Sequence, residues 1–164
     1  MGSISFRLTH IVLPAAILII SIVLAAFFYR LLPPDVAYHF QNGSPDRWLG
    51  RAPVTAWLVV PQALFTLLAF GIVRTAMLSA RYLPPESSPM PWLLPVMGNM
   101  LALPQVILIF AMLDIFLYNA YQVKLMPVWV FAVIVMALGG IILVVFFVRT
   151  ARQFRRRQAK ILRE

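Results

Sequence analysis

The sequence predicts an all-α integral membrane protein, a four-helix bundle with an ordered extracytoplasmic loop and a basic cytoplasmic C-terminal tail. Three observations predict it. The 164 residues are 62% hydrophobic and only 12% charged, with a mean hydropathy of +0.90, whereas soluble domains carry about 25% charged residues. Four uncharged apolar stretches are each long enough to cross a hydrocarbon core about 30 Å thick. Half of the 14 basic residues lie from Arg149 onward, a placement that fits an anionic membrane surface rather than nucleic acid. With no cysteine in the chain, disulfides, thiolate metal sites, Fe–S clusters and cysteine nucleophiles are excluded. At this length one polytopic domain, 1–164, is expected.

The first apolar stretch, 8–29, follows Arg7 and lacks a small-residue cleavage site before Arg30, so it reads as a retained helix over about 8–31 rather than a signal peptide. Leu32-Pro33-Pro34-Asp35 ends it, because proline lacks an N–H donor and disfavours the helical region in the residue before it. The second helix is expected over 53–77. Leu83-Pro84-Pro85-Glu86, with Pro89 and Pro91, separates it from a third helix over 95–122, and the fourth runs over 127–149. Pro14, Pro61 and Pro104 fall inside these spans, where each should kink its helix or free a carbonyl one turn back.

Orientation follows from the positive-inside rule. Arg7, Arg74, Arg81 and the seven basic residues from Arg149 to Arg163 share one side, while Arg30, Arg47, Arg51 and Lys124 share the other. Ten against four places both termini in the cytoplasm and the 32–52 loop outside. Trp48, Trp57, Trp92 and Trp129 fall near span ends, where indoles favour the interface. The tail from Arg149 should continue the fourth helix, with Arg149, Arg152, Arg155, Arg156, Arg157 and Lys160 among lipid headgroups. Binding of a regulator is the other reading of that segment.

The loop carries the most distinctive residues. Asn42-Gly43 and Ser44-Pro45-Asp46 are turn signals, so the segment should be compact. His39, Asp35 and Asp46 invite a metal reading, but a zinc site needs three or four ligands and no further imidazole or thiolate is at hand. Holding the loop's own backbone, or recognising a ligand, accounts for them better, and no metal or cofactor is expected. For recognition the candidates are His39, Phe40, Asp46, Trp48 and Arg51.

Leu32-Pro33, His39-Phe40, Gly43, Pro45-Asp46, Trp48 and Arg51, placed just after a first membrane helix, resemble the small uncharacterised domain at the start of SdpI-type membrane proteins. The resemblance covers about residues 10–75. Ala37 stands where that pattern usually has proline. It implies a bacterial cytoplasmic-membrane protein that gives immunity to a secreted toxin or, in some members, holds a regulator at the membrane. A secreted peptide or toxin is then the expected partner. The second half of the chain matches no SdpI region.

Inside the spans, ionisable groups are costly and mark function by default. Asp114 lies ten residues before Lys124, about 15 Å along a helix, which puts it at mid-membrane. Ser21 and Gln62 share that depth, so Ser21, Gln62 and Asp114 are expected to meet, with Met136 or Gly139-Gly140 nearby. Gln105 is expected to point to the other side from Asp114. The cluster reads either as a neutral hydrogen-bonded tie between helices or as a site for protons, a ligand or a partner chain. The chain carries no Walker loop, dinucleotide fingerprint, HExxH or nucleophile elbow, so no catalytic residue is expected. A non-enzymatic immunity or sensing protein, acting through the 32–52 loop, is the reading favoured here. An accessory subunit of a larger membrane complex or transporter, or a homo-oligomer, is the alternative.

Overall fold

A computed structural model describes residues 8–41, 44–79 and 93–161, with side chains described over 9–41, 44–79 and 95–148. The Asn42-Gly43 pair, the proline-rich 80–92 segment and the side chains of Arg149, Arg152, Arg155, Arg156, Arg157 and Lys160 lie outside the described residues. A short 3-10 turn, Leu8–His10, precedes α1 (Val12–Tyr29), then β1 (Asp35–Gln41), β2 (Ser44–Gly50), α2 (Arg51–Ser79), α3 (Leu93–Asn99), α4 (Ala102–Tyr121) and α5 (Val128–Ile161). Four helical spans are long and apolar enough to cross a membrane: Val12–Tyr29, Arg51–Ser79, Pro95–Tyr121 and Val128–Val148. The chain is a multi-pass membrane protein with the four-helix architecture its hydropathy predicts.

Prolines mark where these helices begin. Pro14, Pro53, Pro95 and Pro104 are each the third residue of α1, α2, α3 and α4, inside the first turn, where the missing N–H would have had no helical partner. The expected mid-span kinks at Pro14 and Pro104 are therefore helix starts instead, and only Pro61 sits within a helix interior. Pro104 also explains why the third span is two helices rather than one continuous 95–122 helix. Residue 104 has no N–H for the Met100 carbonyl one turn back, and Leu103 N–H takes that carbonyl at 3.2 Å. The helix breaks at Met100 and Leu101.

The 32–52 segment, expected as a loop, is an antiparallel β-hairpin. Val36, Tyr38 and Phe40 alternate with Ala37, His39 and Gln41 before Asn42-Gly43, an alternation of period two ahead of a strong two-residue turn signal. Two compensating irregularities shape it. Ala37 faces Trp48 and His39 faces Arg47, leaving Tyr38 as an extra residue in β1, and Phe40 then faces Pro45, leaving Asp46 as an extra residue in β2. Such bulges re-aim side chains. Gly50 runs directly into α2, and Arg51 N–H closes the junction on the Pro34 carbonyl at 3.0 Å.

α1, α2 and α4 pack on one another, and α5 leans on α4 alone among its principal neighbours. One apolar core, at the hairpin end, joins Ala25, Phe28 and Leu32 to Val36, Val54, Leu58, Met112, Ile115 and Phe116. A smaller one at the other end holds Ile11, Ala69 and Val73. α5 touches the bundle through a Phe110–Phe131 stack at 3.9 Å and through Gly139, where an added Cβ would come within 2.8 Å of Leu103. Leu, Ile, Val and Phe side chains cover the outside, as a bundle solvated by lipid requires.

Candidate functional site

The hairpin presents two different faces. Toward the bundle, Ala37 donates its N–H to Asn119 Oδ1 at 2.9 Å, and its carbonyl accepts from Asn119 Nδ2 at 2.8 Å. The Asn119 side-chain amide thus does for the outer edge of β1 what another strand would do, and it removes that edge as a pairing site. Proline, which the resembled pattern usually has at this position, could not donate the first of these bonds. Phe40 packs edge-on to Tyr118 with ring centroids 4.6 Å apart, and the Lys124 ammonium lies 4.7 Å from its centroid. Tyr38 meets Trp57 edge-on at 6.2 Å. Aromatic and cation–π contacts of this kind fix orientation as well as adding burial.

The outward face holds the polar residues. His39 Nδ1–H donates to Asp46 Oδ1 at 2.6 Å, a contact made possible because Asp46 is the extra residue of β2. That hydrogen bond holds the Asp46 carboxyl below its ordinary value of 3.8, since it favours the charged form. Trp48 is 55% exposed. Because Ala37 turns its backbone groups away from β2, the alternation of an antiparallel ladder turns those of the facing Trp48 away from β1. β2 is therefore the open edge of the hairpin.

Of the five recognition candidates, the structure leaves His39, Asp46 and Trp48 on the open face. Phe40 and Arg51 are committed to the scaffold: Arg51 opens α2 and stacks on Tyr29, 5.1 Å from the ring centroid. Asp35 does not join His39 and Asp46. It faces Gly50 at the far end of the strand, four residues or about 13 Å from His39, which dissolves the three-residue metal grouping.

The intramembrane cluster differs from the expected one. Gln62 and Gln105, both fully buried, clasp each other across α2 and α4: Gln62 Nε2 donates to the Gln105 carbonyl at 3.1 Å and Gln105 Nε2 to the Gln62 carbonyl at 3.0 Å. Gln105 also reaches Thr66 Oγ1 at 3.0 Å and the Pro14 carbonyl at 3.4 Å, so three helices meet at one amide. The side-chain oxygens of both glutamines lack a hydrogen-bond partner among the described residues. Ser21 donates to its own helix, at Ile17 O, as hydroxyls in apolar helices commonly do. Asp114 accepts from Leu125 N–H at 3.0 Å and bonds neither Gln62 nor Ser21.

Gln122 is the reason. It adopts the left-handed conformation, φ 57° and ψ 26°, and its N–H returns to the Tyr118 carbonyl at 2.9 Å. α4 therefore ends at Tyr121, the chain doubles back, and Leu125 comes level with Asp114. A depth counted along a helix reaching Lys124 misplaces the carboxylate; it secures the α4–α5 turn. Met136 is 62% exposed and joins no polar group, because α5 is peripheral.

Sequence reasoning missed Asn119, although an amide in an apolar helix is itself a signal of an interhelical partner. Fourteen residues separate it from Gln105, which leaves the two within about 40° on one face of the helix. Asn99 completes the series at the opposite end of the span: its Oδ1 accepts from Leu13 N–H at 2.9 Å and its Nδ2 donates to the Thr9 carbonyl at 3.1 Å, capping one of the orphan donors of α1.

Comparison with known proteins gives one family. Residues 16–61 match a domain of unknown function (DUF1648), a stretch that runs from within α1 through the hairpin to Pro61, one residue before Gln62. No curated protein and no solved structure matches the chain.

Proposed function

We propose that this multi-pass protein is a non-enzymatic receptor of the SdpI immunity type, which recognises a secreted peptide on the extracytoplasmic side of a bacterial cytoplasmic membrane. One observation supports the reading above others. The hairpin spends one face on anchorage, through Asn119, Phe40 and Tyr38, and keeps the His39–Asp46 pair, Trp48 and the open β2 edge clear. A rigid platform with free backbone donors and acceptors suits addition of an extended peptide strand, with an aromatic side chain beside it for selectivity. Preorganisation by anchorage lowers the ordering cost of binding. The positive-inside count, ten basic residues against four, supports an outward orientation of this face.

The experiment is sensitivity of a deletion strain to peptides secreted by its neighbours. Wild-type chain restores resistance, while Trp48→Ala and the pair His39→Ala with Asp46→Ala accumulate normally in the membrane and do not. Full resistance from both variants overturns the reading.

The accessory-subunit reading is favoured by α5, whose membrane-spanning length is hardly buried at all within the chain. A partner helix of a larger complex would cover that face. Constant co-purification with a second membrane protein distinguishes it.

A further inference from the structure

At the end of the bundle away from the hairpin, α5 separates from its neighbours. The close approach of Gly139 to Leu103 is the last point at which α5 and α4 touch tightly, because α4 begins at Ala102 and cannot follow α5 further. Beyond it opens a groove of about 360 Å³, walled by Leu13 and Ile17 of α1, Val106 of α4 and Ile142, Leu143 and Phe146 of α5. Asn99 is its one polar side chain, and both ends of that amide are spent on the α1 entry and on Pro95. The groove therefore offers hydrocarbon nothing to desolvate and offers a polar ligand nothing to bond.

We propose that this groove holds an acyl chain of an anionic phospholipid, whose headgroup lies at the level where the basic segment of α5 begins. Charge selects this occupant. Arg149 follows Phe146 by one helical turn, about 4.5 Å along α5, so the basic segment begins where the groove ends. Seven basic residues lie from Arg149 to Arg163. A second copy seated in the groove would bring a second such segment beside the first, and like charge opposes that pairing, whereas an anionic headgroup relieves it. The site does not depend on what the hairpin recognises.

The test uses the purified full chain in vesicles of phosphatidylcholine and phosphatidylglycerol in equal parts, followed by native mass spectrometry of the detergent-released protein. The wild type retains one phospholipid and favours phosphatidylglycerol about tenfold, on the order of what one or two juxtamembrane basic residues supply. Leu143→Trp fills the groove and retains none, with unchanged thermal unfolding; should it fail to fold, Val106→Phe fills it from the facing wall. Arg149→Gln with Arg152→Gln still retains one lipid, but its headgroup preference falls to near unity. Three results overturn the proposal: a wild type free of lipid, retention unchanged in the filled variants, or a headgroup preference unchanged without the two arginines. Efficient disulfide formation between two copies of Leu143→Cys, in a chain with no other cysteine, also overturns it by giving the groove to a dimer.

Discussion

Asn119 holds Ala37 by both of its backbone groups, donating to the carbonyl at 2.8 Å and accepting from the N–H at 2.9 Å. One side chain of a membrane-spanning helix thereby fixes the position of the whole hairpin on the bundle. Asn119 Nδ2 also bonds the Ile115 carbonyl at 2.8 Å on its own helix, so the amide is held in register before it meets the strand.

Asn119→Leu leaves two part-buried backbone groups of Ala37 unpaired, which costs about 1–3 kcal/mol for each group left without a partner. Hydrogen exchange of the hairpin amides accelerates in this variant while that of the α2 interior does not. Ala37→Pro removes the N–H alone and falls between the wild type and Asn119→Leu in thermal unfolding. Equal protection of the hairpin in all three proteins would refute the clasp.

The reciprocal Gln62–Gln105 bonds predict two separate losses. Interhelical hydrogen bonds in membranes are worth about 0.6 kcal/mol on average and about 1.7 at most. Gln62→Leu and Gln105→Leu each destabilise within that range. The double variant loses about the sum of the two, because each amide donates to the other residue's backbone carbonyl, which the substitution leaves in place. Unchanged stability of either single variant on unfolding in detergent contradicts the pairing.

Acid should loosen the hairpin's open face. The His39 hydrogen bond holds the Asp46 carboxyl below 3.8. A depressed carboxylate contributes above its unfolded value and loses that contribution as pH falls through the folded one, so the change begins below pH 3.8 and the contact is intact at neutrality. Nuclear magnetic resonance of the Asp46 carboxyl reads the titration midpoint directly. His39→Ala returns the midpoint toward the ordinary value, and a midpoint unmoved by that variant excludes the contact.

The turn between α4 and α5 rests on two residues with opposite tolerances. Gln122 sits at φ 57°, where a side chain costs about 1–2 kcal/mol, and Gln122→Gly raises the unfolding temperature. Asp114 serves Leu125 N–H as an acceptor only. Asp114→Asn keeps an acceptor oxygen and keeps stability, while Asp114→Leu leaves a part-buried donor without its partner and costs about 1 kcal/mol. Equal behaviour of the Asn and Leu variants would show that the hydrogen bond does not form.

The spans were legible because hydrophobic length is a property of each segment by itself: Val12–Tyr29 and Val128–Val148 need no neighbour to be recognised. The hairpin was half legible. Its turn signal at Asn42-Gly43 and the pairing potential of His39 with Asp46 were readable, but the two bulges that bring those side chains together depend on register between strands. Partner choice inside the membrane was not legible. Gln62 chose Gln105 over Asp114 because helix phase and depth are set by where α4 starts and stops, at Pro104 and Gln122, and a left-handed glutamine leaves no mark in hydropathy. α5 stands apart for a similar reason. Its composition predicts a spanning helix, while its choice of α4 as neighbour follows from the contacts at Phe131 and Gly139.

On the receptor reading, the chain acts through its own hairpin rather than as part of an obligate assembly. The most direct measurement is purification of the tagged protein from its native membrane in a mild detergent, with mass spectrometry of every component that stays bound in constant ratio. Recovery alone or with copies of itself, together with lipid, is the expected result. A second membrane protein held in fixed stoichiometry, and lost in variants along the exposed face of α5, would contradict it.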